Sequence, residues 1–355
     1  MHGGRQAGIK EANSPRSYGA FRSVLILWAL SSLWFTPAFG QNQTEADKKF
    51  ERLARWLKSP DGSVRVDAIQ ELTTLHDPAA VPLILQSLYD SNTVVRSAAA
   101  WGLLNCRDPQ VVSALRSVLN DEDDRVRASA VWTLAHVGGK AVLPDVARLA
   151  TNDASGIVRF RAVWGLAFVG DRSALPVVVN ALGDYNNTVR ERSALLALDA
   201  LADKSVVPLV LKQKNNILPD TRRVVMYLLA KYGDSSVITA LVEGLTDQDP
   251  LVRAEAAISL GKLHARKNLD ALQPLVKDPD DHVRGSAAYA IGLMGDPSGV
   301  GLLRPLAQDN SAFVRAVAAE SLEKLGDASV KPPEGFKASE LFTFPIYSPE
   351  QKDLY

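Results

Sequence analysis

A Val-Arg pair or a close equivalent recurs along this chain with its arginine at Arg65, Arg96, Arg127, Arg159, Arg190, Arg222, Arg253, Arg284 and Arg315, always 31 or 32 residues apart. A spacing held over nine copies means that one structural unit is stacked again and again. Each copy reads approximately D-x-x-VR-x-x-AA-x-x-L-x-x-h-G-D and then a second apolar-periodic stretch; residues 278–296, DPDDHVRGSAAYAIGLMGD, are the clearest case. The apolar spacing is that of a helix. The Asp-, Asn- and Ser-rich loop before it suits an N-cap, and Gly138, Gly170, Gly233, Gly295 and Gly326 suit a left-handed C-terminal cap. Asp77, Asp108, Asp171, Asp234 and Asp296 then stand where a second helix starts. One copy is therefore a helical hairpin. It cannot bury its apolar face alone, so copies must stack into an elongated array. Ala99, Ala130, Ala162, Ala256, Ala287 and Ala318 let helices approach closely, and Leu72, Leu103, Leu134, Leu166, Leu260, Ile291 and Leu322 fill the seam.

The two ends depart from the pattern. Residues 41–62 read as an N-terminal capping helix with Phe50, Leu53 and Leu57 facing inward, and 63–328 as the repeat array. Pro332 and Pro333 interrupt the ninth copy, so 329–355 reads as a non-helical C-terminal tail, either disordered or laid along the last repeat. Residues 1–40 read as a secretory signal peptide: Arg16 and Arg22 precede VLILWALSSLWF, and Ala38 and Gly40 flank Phe39 as a small-residue cleavage site. The rival is an uncleaved anchor helix. The apolar run is shorter than the roughly 20 residues that span a bilayer, which favours cleavage and no stable membrane insertion. The expected location is exported, periplasmic or extracellular.

Forty basic and forty acidic residues cancel, and removal of residues 1–40 leaves 36 basic against 39 acidic. A slightly acidic chain without aromatic residues interleaved in basic runs is not built for nucleic acid. The single cysteine, Cys106, excludes an intramolecular disulfide framework and any multi-cysteine metal site. His76, His136, His264 and His282 show no i, i+4 pair of the kind that holds zinc on a helix. The acidic runs at 121–124, 247–249 and 278–281 lack the EF-hand order of ligands and fit helix capping better. No Gly-rich phosphate loop or nucleophile elbow is present. Catalytic residues, metal and cofactor are accordingly expected to be none.

The repeated signature resembles the HEAT-repeat superfamily, most closely its short HEAT-like subtype found in phycobilin lyase subunits, over residues 45–328. The resemblance implies an all-α, right-handed α-solenoid of about nine hairpins of about 31 residues with half-repeat caps, in which the Val-Arg helix lines the concave wall. It also implies that the repeated Asp and Arg form a structural ladder between loops; Asp61, Asp123, Asp249 and Asp280, four residues before their arginines, are the expected partners. A phosphate-binding stripe is the alternative for the arginines. Members attach bilin chromophores in the cytoplasm of photosynthetic cells, a setting at odds with export, so a lyase-like subunit stays an alternative.

Five residues after each repeat arginine stands a column of Gln70, Trp101, Trp132, Trp164, Leu195, Tyr227, Ile258, Tyr289 and Glu320, roughly 150° from the seam at about 100° per residue. It should face away from the core, along the groove. Phe160, Trp164 and Phe168 add one stripe along a single helix. These rings either pack between neighbouring helices or bind a partner. The partner reading, with Trp101, Trp132, Trp164, Phe160, Phe168, Tyr227 and Tyr289 as the surface, makes the chain a non-enzymatic scaffold or adaptor for another protein or peptide; a flat ligand or a glycan on the same rings is the alternative.

Overall fold

The Asp- and Asn-rich loop of the repeat starts a helix because its side chains satisfy the free N–H groups of the first turn. In a computed structural model, which describes residues 37–106 and 108–342, Asn92 accepts from Val94, Asp123 from Arg125 and Asp249 from Leu251. The Val-Arg helices that follow include Gly62–Leu75, Thr93–Gly102, Asp124–Gly138, Gly156–Val169, Pro219–Tyr232, Pro250–Lys262, Asp281–Met294 and Ala312–Lys324. Gly170 and Gly295 close two of them with positive φ; His76 and His264 occupy the same left-handed position in copies one and seven, at φ of 52° and 50°. Asp77, Asp108, Asp171, Asp234 and Asp296 cap the second elements of their copies. Among the described residues there is no strand, and the chain is an all-α solenoid.

The core runs unbroken through the stack, with Leu72, Leu103, Leu134, Leu166, Leu260, Ile291 and Leu322 essentially inaccessible to solvent. Val-Arg helices of successive copies pack directly side by side, each second helix packs mainly against the Val-Arg helix of the next copy, and second helices touch one another little. The closely spaced row is the inner, shorter side of the stack. Close approach depends on missing side-chain atoms: a Cβ on Gly261 would stand 2.8 Å from the Ala290 Cα. At the N-terminal end the helix Pro37–Trp56 places Leu53 in the core, with Phe50 and Leu57 packed against it.

Three local departures follow from the residues present. In copy five the inner helix opens with a π-helical turn, Thr188–Ala194, before Leu195–Leu201. The second element of copy seven is two 3-10 segments, Arg266–Leu272 and Leu275–Lys277, around Pro274, which has no N–H for an α-helical bond. The tail, expected to be non-helical, contains one helical turn, Ala338–Leu341, because the Glu320 carboxylate accepts the Ala338 N–H at 2.6 Å and fixes that turn on the last repeat. Residues 1–36 of the expected signal segment and 343–355 of the tail lie outside the described residues.

Candidate functional site

The repeat arginines point along the loops. Arg127 is typical: Nε and Nη2 fork onto both oxygens of Asp153 at 2.8 and 2.9 Å, while Nη1 donates to the carbonyls of Asp121 and Glu122 at 2.8 and 3.1 Å. Arg65, Arg96, Arg159, Arg222, Arg253 and Arg284 make the same fork to Asp90, Asp121, Asp184, Asp247, Asp278 and Asp309. Each rung joins the loop of one copy to the loop of the next. Burial pushes the Asp153 carboxyl up, but the Arg127 guanidinium and the Ser155 N–H together hold it below the ordinary carboxylate value. With Nε, Nη1 and Nη2 all engaged in this way, these arginines are not a phosphate stripe. The partners differ from those expected: Asp61, Asp123, Asp249 and Asp280 cap their helices by accepting backbone N–H groups, and the carboxylates that pair lie one repeat ahead.

Arg190 and Arg315 break the series. The position that should pair with Arg190 is Asn216, whose amide cannot supply a second charged oxygen; Arg190 turns to Asn187 and to Asp220 at 3.0 Å, and its Nε is buried without an acceptor. Arg315, in the last copy, keeps only the carbonyls of Asp309 and Asn310.

On the inner row the structure gathers Phe160, Trp164, Phe168, Trp132 and Trp101 across copies two to four. The Trp132 and Trp164 rings are 5.1 Å apart, Phe160 meets Trp164 edge-on at 5.7 Å, and Trp132 lies 6.4 Å from Phe168. Trp101 does not stack on Trp132 directly; the Arg161 guanidinium lies 5.5 Å from each of the two rings and bridges them. His136 completes the cluster, stacked on Phe168 at 3.5 Å and against Trp132 at 4.1 Å, with Nδ1 on the Trp132 carbonyl. Burial lowers the His136 pKa against the opposing pull of its hydrogen bond to the Trp132 carbonyl, and the ring stacks as one more aromatic face. The rings pack on one another and still leave surface: Trp101 is 45% exposed and Phe168 55%. Beside Trp101 a depression of about 470 Å³ is lined by Val66, Ile69, Gln70, Val94 and Ala98. Arg161 and His136 escape notice in the sequence because each lies off the column; their offsets of three residues before Trp164 and four after Trp132 are the available signal.

The column does not face away from the core throughout. Leu195 is buried because the π-helical turn adds a residue to the first turn of copy five and rotates the fifth position inward. Ile258 is buried where the Gly261–Ala290 contact draws inner helices together. Tyr289, 7% exposed, lies under Phe342 of the tail at 4.6 Å. Tyr227 is half-buried between Lys231 and Lys262, whose ammonium groups lie 5.8 and 5.7 Å from its ring.

Cys106 is half-buried and burial pushes its thiol up, away from thiolate. Among the described residues no three His, Cys, Asp or Glu side chains are grouped to hold a metal, and no helix is long and apolar enough to cross a membrane.

The fold has many structural relatives. The karyopherin Kap121p bound to the extreme C-terminus of the phosphatase Cdc14p aligns with a TM-score of 0.62 at 15% identity, over 79% of this chain and 38% of that one. Kap121p bound to Nup53p aligns with a TM-score of 0.62 at 15% identity, over 80% and 38%. This chain thus spans well under half the length of Kap121p. Human deoxyhypusine hydroxylase aligns over 81% of this chain and 99% of that one at 19% identity, with a TM-score of only 0.33. No curated protein matches by sequence. The HEAT-repeat family model matches residues 50–135, 84–167, 147–216, 210–290 and 271–333, so that the stacked hairpins and their ladder place this chain in the HEAT-repeat family.

Proposed function

We propose that this chain is an exported, non-catalytic interaction scaffold that takes a protein or peptide segment on the inner face of copies two to four. The observation that carries this reading is the cluster of Trp101, Arg161, Trp132, Trp164, His136 and Phe168, preassembled across three helices yet open at Trp101 and Phe168. Rings already held by their neighbours lose little side-chain freedom on binding, which makes tryptophan surfaces effective anchors. Exposed apolar patches of this kind mark interaction sites. Kap121p, which has the same fold, is bound to a segment of Cdc14p in one structure and to Nup53p in another, and a solenoid's inner wall suits such a role.

Trp132→Ala and Trp164→Ala are expected to keep the helical circular dichroism, lower the melting temperature by a few degrees, and abolish capture of a partner cross-linked by the wild-type chain in the exported fraction. Unchanged capture, or loss of helicity in both variants, rejects the site. Export is tested separately by N-terminal sequencing of the protein from that fraction, which should begin at Gln41; an intact N-terminus rejects cleavage.

A further inference from the structure

Copy two departs from its neighbours at the end of its Val-Arg helix. Thr93–Gly102 has 10 residues where copy one has 14 and copy three has 15, so a helical turn is missing beside the second helix of copy one, Ala80–Ser87. What stands there is a cavity of about 530 Å³. Its floor is made by Leu72, Ala80 and Ile84, all buried, its wall includes Cys106, and the exposed Asp77 and Asp108 are at its rim. An apolar recess of this size with a few polar groups at its edge suits a small molecule. We propose that this cavity binds a small organic cation, an apolar body on the floor with one ammonium group at Asp108.

The charge of the ligand follows from a rung that copy one lacks. Along this edge of the stack the residue after one copy's capping position reaches the capping aspartate of the next: Lys140 pairs with Asp171 at 2.9 Å and Arg172 with Asp203 at 2.6 Å. The position that would serve Asp108 is Pro78, which brings no charge. Asp108 gives one oxygen to the Gln110 N–H at 2.7 Å, and among the described residues that line the cavity there is no lysine or arginine. Burial and, after it, the Asp108 charge push the Cys106 thiol up, so the carboxylate is felt at the cavity wall. An anion entering here would meet two carboxylates. None of the inner-row rings lines the cavity, and the inference is independent of the tryptophan surface.

Cys106, the single cysteine of the chain, reports on the occupant. In the full chain its alkylation by iodoacetamide is expected to slow saturably, about fivefold with phenylbutylamine and about twofold with an equal concentration of neutral phenylbutanol, a difference within reach of an exposed ion pair. Asp108→Asn keeps the helix cap and is expected to reduce protection by the amine to that given by the alcohol. Val81→Trp, which fills the cavity from its lining, is expected to abolish protection by both. Equal protection by amine and alcohol in the unaltered chain overturns the proposal, as does the absence of protection by the amine. Protection by the amine that is undiminished in Asp108→Asn, or that survives in Val81→Trp, overturns it as well.

Discussion

Arg127→Ala would remove the guanidinium fork from a carboxylate, Asp153, whose side chain is 8% exposed and would keep only the Ser155 N–H, and would remove a donor from two loop carbonyls. Removing one partner of such a pair costs on the order of 3 kcal/mol, expected as a lower urea midpoint; Arg127→Lys should recover only part, since an ammonium cannot make the fork. The arginine of this rung is visible in the sequence because it recurs. Its acceptor is not, because Asp123 stands nearer in the chain and is taken up by helix capping, while Asp153 comes close only once copies stack. Glu255 illustrates the opposite balance: burial raises its carboxyl to about 7 against the pull of Lys262 and Arg223, and its Oε1 has no hydrogen-bond partner. A carboxyl whose folded pKa exceeds its unfolded value adds stability that is complete below the unfolded pKa and lost as pH rises through the folded one. Between pH 5 and 8 the protein is therefore expected to lose on the order of 3 kcal/mol from this group. Thermal melts across that range check it, and Glu255→Gln should flatten the profile.

At the level of the helix, spacing alone predicts which residues share a face, and copies two to four follow that rule with Trp101, Trp132 and Trp164 on the inner row. It says nothing about how near the next helix comes. Ile258 disappears from the surface because Gly261 lets the backbone of Ala290 approach, and Leu195 turns inward because a π-helical turn shifts its register. Gly261→Ala tests the first point directly: its Cβ would meet Ala290 Cα and carbonyl oxygen at 2.8 and 3.0 Å, backbone atoms that cannot swing aside. Overpacking of this kind costs about 1–3 kcal/mol. The variant should melt at lower temperature with little change in helical circular dichroism.

Across the whole molecule, nearly every feature that the repeat count implies is present: stacked hairpins, a continuous core and a ladder from loop to loop. What the count hides is the exception. Asn216 already accepts the Leu218 N–H in the loop before the copy-six helix, and an aspartate there would keep that bond and offer Arg190 the missing second oxygen. Asn216→Asp is expected to stabilise the chain by on the order of 1 kcal/mol. Stability in a linear array is a sum over units and the interfaces between them, so a weak interface divides it. Urea unfolding should then show copies one to five separating from six to nine, as two steps that merge into one in the Asn216→Asp chain.

Seen as a piece of mechanics, the weakened rung, where Arg190 holds Asp220 by one bond and not a fork, is a joint. A solenoid with uniform rungs bends like a spring, sharing strain among all its coils; one with a single soft coil bends there first. The π-helical turn of copy five and the unpaired Arg190 Nε lie together at that coil, between the tryptophan cluster and the half of the groove next to the tail. Flexing at copy five would swing two otherwise stiff arms, opening or closing the inner face without disturbing either aromatic surface.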